Sequence, residues 1–498
     1  MKRAVVLAAI LCLTCSRAPE NRTPASHRVI FIGLDGADWQ LLDRYMGDGT
    51  MPNLNTLVRT GERRVLLTQH PPLSPLVWTT MMTGVSPLEH RILDFTRFHP
   101  ITHAREPITS DERAVPAIWN MAHARGKRVV VVGMWATDPP ETDGGDITSD
   151  QMVRSPAHDV WRRTLAETET THTRGFEHIG KMAPSLGIVY FQGTDIVGHL
   201  YAGRDSPIPR DYFKRIDQIL GDYRNLAEEL DATLVIASDH GFDWFTKRAP
   251  ETSMATATAA KWHRDEGIFL RWSPHRRVLP SMTSGAIRVD AVCPLLLKML
   301  DLPTDVREYR RGWHRAEPAK TPLNEDMAKL TALGYIGTGE GAGAPLSTAP
   351  TRTSGSFNNE GVILRERGSN DQAALAFENA LRVDAKNASA LWNLSDLLHH
   401  LKRDEKRADA LLDEAIAIDP RQPRWLLARG RYALERRDCR KALGDFKRAT
   451  EIATDDALAF ASFGAAHACL GDEKAAQDAF RKSLELDPNQ PEIRRLFR

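Results

Sequence analysis

The sequence predicts an α/β domain with a mostly parallel sheet, followed by an all-α array of helix pairs. Two observations carry this prediction. From His27 to about Gly337, short Val- and Ile-rich runs alternate with longer amphipathic ones, as strands and crossover helices do in parallel sheets. Beyond that, Gly361, Gly430 and Gly464 stand 69 and 34 residues apart, and Phe377, Phe446, Phe480 and Ala373, Ala442, Ala476 keep the same spacings. A period near 34 is that of a two-helix repeat. The length of 498 residues suits about three units. A hydrophobic share of 42% with 26% charged residues excludes a fibrous or largely disordered chain. Lys+Arg number 66 against 65 Asp+Glu, a net charge of +1, so no nucleic-acid partner is expected.

The N-terminus begins Met1-Lys2-Arg3, followed by an apolar run from Ala4 to Thr14 that ends at Cys15-Ser16. Basic residues before a short apolar run read as an export signal, here within residues 1–22. The run is too short for a bilayer core that needs about 20 residues. Its end resembles a bacterial lipoprotein signal, in which Cys15 would become the lipidated first residue. Cys12 stands where such signals usually have Leu, and Thr14 where they prefer Gly or Ala. The expectation is an exported protein, periplasmic or held at the membrane through Cys15; a plain secretory cleavage before Thr23 is the other reading. The CxxC pair Cys12 and Cys15 lies inside the apolar run, so a cysteine zinc site has no support. Removing the signal leaves Cys293, Cys439 and Cys469 for pairing, so at least one stays free unless it bridges to another chain.

The first unit, 27–337, reads element by element. Val29–Ile32, Arg128–Val132, Gly187–Phe191 and Thr233–Ala237 have the length and β-branched content of buried strands. Asp211–Leu230 and Val289–Leu300 read as helices. Three of the strands run into an acid: Asp35 in Gly33-Leu34-Asp35-Gly36, Asp195 in Gly193-Thr194-Asp195, and Asp239 in Ser238-Asp239-His240-Gly241. Ligands in open parallel sheets bind beyond the carboxyl ends of the strands. Three carboxylates gathered there would repel one another strongly without cations. His199 lies four residues after Asp195, one helical turn. His240 follows Asp239, and His263 precedes an apolar run. Oxygen and imidazole donors together suit zinc or a similar transition metal. The count allows two divalent ions: Asp195, His199 and His263 on one, Asp35, Asp239 and His240 on the other. Singly, each residue has a duller explanation, such as a helix cap or a hydrogen-bonded histidine.

Ser74, in Leu73-Ser74-Pro75-Leu76, is the candidate nucleophile. Ser before Pro is expected to cap a helix, with Pro75 in its first position. Free N–H groups at such a terminus suit a phosphoryl or sulfuryl oxygen. A nearby metal would lower the hydroxyl's pKa. An ordinary helix cap is the alternative for Ser74.

From Gly337 the composition turns to Gly, Ala, Ser, Thr and Pro, which predicts a flexible linker over 338–353. The repeats follow over 354–498, as 354–387, 388–422, 423–456 and 457–490, with an extra residue near Lys402–Lys406. Their period and small-residue positions match the tetratricopeptide (TPR) repeat. Glycine and alanine are expected where paired helices approach closely, and Phe and Leu between neighbouring pairs. Either docking of a protein or peptide or a purely spacing role is consistent with such an array. Ala433 and His467 occupy the position where these repeats usually carry Tyr.

Gly33-Leu34-Asp35-Gly36, Ser74–Gly84 continuing to Ser86-Pro87-Leu88-Glu89-His90, Asp195-x-x-x-His199, Ser238-Asp239-His240-Gly241 and His263 occur in the order seen in the alkaline phosphatase superfamily. Over roughly 28–305, including Val289–Pro294, the chain resembles the type I phosphodiesterase / nucleotide pyrophosphatase branch. The resemblance implies an alkaline-phosphatase-like fold and two divalent ions about 4 Å apart, zinc or another such as manganese. It implies the same two ligand sets, Ser74 bridging toward both ions, and a covalent phosphoseryl intermediate that is then hydrolysed. Ser74 stands where the nucleotide pyrophosphatases carry a nucleophilic Thr. The Asn those enzymes carry after the His-Gly pair corresponds here to Phe95, and the Gly itself to Arg91. The stretch between Trp135 and Pro184 leaves little room for a large specificity lid. Leu76 and Trp78 stand where formylglycine sulfatases need Pro and Arg, which argues against sulfate-ester hydrolysis.

Taken together, the sequence points to a metal-dependent hydrolase of phosphoric esters with a partner-binding repeat array. Two alternatives stand beside it: a transferase passing the phospho-group to an alcohol from the same site, and an adaptor whose metal domain is inactive.

Overall fold

The computed structural model describes residues 27–99, 102–157, 159–246, 262–274, 285–311, 313 and 351–496. The expected export signal, Cys15 and all but the last three residues of the expected linker lie outside the described residues.

The strands are β1 Arg28–Leu34, β2 Glu62–Leu67, β3 Thr96–Phe98, β4 Arg105–Pro107, β5 Val129–Val132, β6 Asp146–Thr148, β7 Leu186–Phe191, β8 Ala232–Ala237, β9 Gly241–Phe242, β10 His263–Arg264, β11 Glu266–Trp272 and β12 Ile287–Arg288. The helices of this unit are α1 Trp39–Gly47, α2 Pro52–Thr60, α3 Ser74–Thr83, α4 Pro87–His90, α5 Ile118–His123, α6 Val160–Met182, α7 Gly193–Tyr201, α8 Ile208–Glu229 and α9 Val292–Met299. Eight strands form one sheet in the order β12-β2-β11-β8-β1-β7-β5-β6. Its pairings are parallel except those of β11, which runs antiparallel to both β2 and β8. The mostly parallel α/β fold is therefore as the sequence predicts.

Both faces of the sheet are covered, which is why its strands read as unbroken apolar runs. Val29 and Phe31 of β1 point to one core with Val77, Trp78 and Met81 of α3, Trp119 of α5 and Leu296 of α9. Ile30, Ile32 and Leu34 point to the other with Leu42 of α1, Leu54 of α2 and Ile216 and Leu220 of α8. Phe31 and Ile32 are fully buried; each such side chain contributes roughly 1.5–3 kcal/mol. The stretch after Trp135 is taken up by the short β6 and by α6, and Ile179 of α6 fills the second core.

The consequence for function lies in the middle of the sheet. β8, β1 and β7 are adjacent and parallel, so their carboxyl ends deliver Asp239, Asp35 and Asp195 side by side.

The C-terminal unit is a helical TPR array. Four antiparallel hairpins follow one another: Ser354–Glu366 with Asn370–Val383, Ala388–His400 with Glu405–Ile418, Pro423–Glu435 with Cys439–Ile452, and Ala457–Cys469 with Glu473–Leu486. The turn 401–404 is one residue longer than 367–369, 436–438 and 470–472, which accounts for the extra residue in the second repeat. The repeated glycines have a steric cause. A Cβ on Gly361 would lie 2.4 Å from the Phe377 ring, one on Gly430 2.4 Å from Phe446, and one on Gly464 2.7 Å from Phe480. Cys439 and Cys469 form a disulfide between the third and fourth hairpins, while Cys293 is buried and free in α9. Among the described residues, no helix is long and apolar enough to cross a membrane.

Candidate active site

β1 leads into Asp35, and the chain then turns at Gly36 with φ of 62°. A side chain there would be strained, and its Cβ would lie 3.0 Å from Asp195 Oδ1. The Gly36 N–H donates to Asp239 Oδ1 at 3.2 Å, tying the β1 and β8 ends together. Asp195 and His199 both lie on α7, and His199 Nε2 stands 3.4 Å from Asp195 Oδ2, one turn away. The two-residue ribbon of β9 and β10 sets His263 opposite Phe242. This stacks the His263 ring on that of His240, with centroids 3.7 Å apart.

All seven residues singled out in the sequence come together. Ser74 Oγ donates to Asp35 Oδ1 at 3.2 Å. His240 Nε2 lies 3.5 Å from Asp35 Oδ1 and 3.3 Å from Asp239 Oδ2. His263 Nε2 lies 3.5 Å from Asp195 Oδ1 and 3.2 Å from His199 Nε2. The Asp35, Asp239 and His240 group has donor atoms within 4.8 Å of one another, and so does Asp195 with His240 and His263. His240 thus stands on the border between the two expected ligand sets rather than wholly within one.

The helix start differs from expectation in one respect. Leu73, not Ser74, is the N-cap: its carbonyl accepts from the N–H groups of Leu76 and Val77, each at 3.0 Å. Ser74 is the first helical residue and Pro75 the second. The Ser74 hydroxyl is turned toward Asp35 instead of back onto its own helix, so it is not an ordinary cap.

The donor chemistry fits divalent cations. His240 Nδ1 must donate to the Gly241 carbonyl at 2.9 Å, and His263 Nδ1 to the Pro72 carbonyl at 2.7 Å, because a carbonyl only accepts. His240, held neutral by burial, therefore turns an Nε2 lone pair toward the oxygens of Asp35 and Asp239. His240 Nε2 and Asp239 Oδ2 are buried and make no hydrogen bond. Lone pairs facing carboxylates repel unless a cation lies between them. The electrostatics agree. Burial, and then the charges of Asp239 and Asp195, hold the Asp35 carboxyl well above the usual carboxylate range. Burial and the Asp195 charge also raise Asp239. For Asp195 burial acts upward, but His199 and His263 outweigh it and carry the group well below its usual value. Burial, reinforced by His263, keeps His240 neutral.

Residue types alone did not reveal several supporting groups. Tyr190 in β7 donates its OH to Asp35 Oδ2 and accepts from Trp135 Nε1 at 2.7 Å. Thr194 donates to the Asp35 carbonyl. Asp38 caps α1 through the Gln40 N–H at 2.7 Å, and it also accepts from Phe242 N–H at 3.2 Å and from Arg264 at 2.7 Å, bracing the ribbon that carries His263. His90 serves the scaffold. Its Nδ1 accepts from the Ile92 N–H at 3.1 Å, its Nε2 bonds Thr80 Oγ1 at 3.0 Å, and burial pushes its pKa down to about 3. Phe95 is buried edge-on against Trp135, with ring centroids 5.7 Å apart.

Residues 29–290, more than half of the chain, match the family model described as type I phosphodiesterase / nucleotide pyrophosphatase. The chain belongs to that family. Two further stretches of this phosphodiesterase-family chain, 358–423 and 460–490, match tetratricopeptide repeat models. Among solved structures, it is similar to phosphonoacetate hydrolase from Sinorhizobium meliloti 1021 bound to phosphonoformate, at 20% identity and a TM-score of 0.37 over 44% of this chain and 57% of that one. It is also similar to PilF from Pseudomonas aeruginosa, at 25% identity and a TM-score of 0.27 over 28% and 64%. A third is MamA from Desulfovibrio magneticus RS-1, at 21% and 0.27 over 28% and 78%. The chain thus spans little more than half the length of the phosphonoacetate hydrolase.

Proposed function

We propose that this protein is a metal-dependent hydrolase of phosphoric esters, a phosphodiesterase or phosphatase, with Ser74 as its nucleophile. The observation that carries the reading is the Ser74 hydroxyl bonded to Asp35 inside a buried cluster of three carboxylates and three histidines. Asp195, His199 and His263 would hold one divalent ion and Asp35 and Asp239 a second, with His240 beside both. Zinc suits this mixed oxygen and nitrogen set. When bound, such ions supply charge neutralisation at the phosphoryl group and lower the pKa of a nearby hydroxyl.

The chain's own residues do the rest. Asp35 Oδ1 holds the Ser74 proton and so aims the oxygen; Tyr190 and Thr194 fix Asp35 in turn. Ser74 Oγ attacks phosphorus as its proton passes to Asp35 Oδ1, the Oγ–P bond forms and the ester P–O bond breaks, and the departing alkoxide takes a proton from solvent water. Water then cleaves the phosphoseryl bond and returns Ser74. An alcohol taking the place of water would make the same site a phosphotransferase.

The repeat array is read as the part that docks a protein or peptide. Export, to the periplasm or to a membrane through a lipidated Cys15, is supported by the N-terminal pattern and by the Cys439–Cys469 disulfide, a feature of oxidising compartments.

The test uses the full chain with a chromogenic phosphomonoester and phosphodiester. Chelation is expected to abolish turnover and zinc to restore it. Ser74→Ala is expected to lose at least about a thousandfold in kcat while still binding metal. Undiminished turnover by Ser74→Ala would end the mechanism, and a purified protein that binds no zinc would favour an adaptor instead.

A further inference from the structure

The first TPR helix is packed onto the candidate catalytic unit beside the nucleophile helix. The contact begins just before that helix, where the Phe98 N–H of β3 donates to the Thr351 carbonyl at 2.8 Å. Thr353, the N-cap of Ser354–Glu366, donates its hydroxyl to Asp94 Oδ2 while accepting from the Ser356 N–H at 2.9 Å. Asn359 Nδ2 donates to the Leu93 carbonyl at 2.8 Å. Thr353, Asp94, Asn359 and Leu93 are all buried. The approach is close at its start, since a Cβ on Gly355 would lie 2.7 Å from Asp94 Oδ2.

One turn further along, Ile363 closes a small apolar cluster with Leu76, Leu93, Leu73 and Leu88. Leu73 and Leu76 bracket Ser74, and Leu73 is the N-cap whose carbonyl starts α3. The Leu93 loop is in turn bonded to α3 through His90 and Thr80. At the far end of the same TPR helix, Glu366 lies close enough to His70 and Asp265 for their charges to act on it. His70 and Asp265 sit 3.3 Å apart and flank the two segments joined by the bond from His263 to Pro72.

We infer that the helix Ser354–Glu366 is a positioning element for Ser74, acting through Ile363 and Asn359, and is not merely the first rung of a docking array. A tether would need only the chain connection. This helix instead buries polar side chains against the loop behind α3 and fills the apolar space under the Ser74 turn. Unseating it frees Leu73 and Leu76 and lets the Ser74 hydroxyl leave Asp35. The seating of this first helix is thereby felt at the nucleophile.

The inference rests on the proposed role of Ser74, so its test has one readout that needs no turnover. Full-length Ile363→Asp, Ile363→Ala and Asn359→Ala are compared with Phe480→Ala, which loosens the last hairpin far along the array. Hydrogen exchange is expected to rise in peptides covering 71–84 in the first three variants, with β7 unchanged, and to stay at the wild-type level there in Phe480→Ala. On a chromogenic ester, kcat is expected to fall on the order of tenfold or more with KM within about twofold, because orientation of the attacking oxygen is felt in the transition state. If Ile363→Asp fails to fold, the two milder variants carry the same comparison. Wild-type exchange over 71–84 in folded Ile363 and Asn359 variants would overturn the inference. Faster exchange in a protein that hydrolyses no ester would keep the coupling and discard the proposed reaction.

Discussion

Tyr190→Phe should separate the support of the site from its ligands. The Tyr190 hydroxyl donates to Asp35 Oδ2 and accepts from Trp135 Nε1 in a fully buried setting. Removing it leaves the Trp135 N–H without its acceptor, at a cost of about 1–3 kcal/mol, and deletes a hydrogen bond to a carboxylate. A net loss of about 2–3 kcal/mol is expected, a fall of roughly 3–5 °C in the first unit's melting transition. The ring fits the same space, so the packing against Trp78, with centroids 5.1 Å apart, is kept. The same hydroxyl favours the ionised form of Asp35. Its loss raises the Asp35 pKa further, so protons compete better with a cation. Zinc affinity should drop roughly 10–100-fold, the usual range for a group that orients a ligand, and the deficit should widen as pH falls. Competition with a chromophoric chelator at several pH values, alongside calorimetry, measures both. Wild-type affinity at every pH would refute the idea that Tyr190 fixes Asp35.

Other expectations follow from single features. Burial, opposed by Arg97 and aided by Asp111, pushes the Glu112 carboxyl up from 4.5 to about 7. The folded state therefore holds that proton more tightly than the unfolded one. Its stabilising effect is complete below about 4.5 and is lost as pH rises through about 7, so Glu112→Gln should flatten that decline, worth about 2–3 kcal/mol, in urea titrations at pH 5 and pH 8. Gly361→Ala should destabilise the repeat array by about 1–3 kcal/mol through overpacking on Phe377, and adding Phe377→Leu should cost less than the sum of the two changes. Reducing the Cys439–Cys469 bond, which closes a separation of 30 residues, should lower the array's stability by about 3 kcal/mol, seen as an earlier denaturant midpoint.

Much of this architecture was legible in the sequence because its signals are local. Buried parallel strands are short apolar runs whatever their neighbours, and an acid directly after such a run is carried to the sheet's edge. His199 could be tied to Asp195 by helical spacing, and the glycines of the repeats by their period. What stayed hidden depends on contacts across the fold. Tyr190 and Trp135 look like any core aromatics until β7 lies against β1. Whether Ser74 caps its own helix or serves Asp35 depends on the chain folding back across a separation of 39 residues, not on the Ser-Pro pair. The docking of Ile363 on Leu73 and Leu76 leaves no periodic mark, because an interface between two units obeys neither unit's repeat.

The ordering β8-β1-β7 has a consequence for how a metal would be acquired by the proposed site. The donors come from chain positions as distant as Asp35 and His263, and no two of the central strands that lie side by side, β8 on β1 and β1 on β7, are consecutive in the sequence. A growing or half-folded polypeptide therefore owns only scattered, weak chelating fragments. Loading of the proposed metal site would therefore be a late event, and the site would take a cation available in the compartment where the last strand settles.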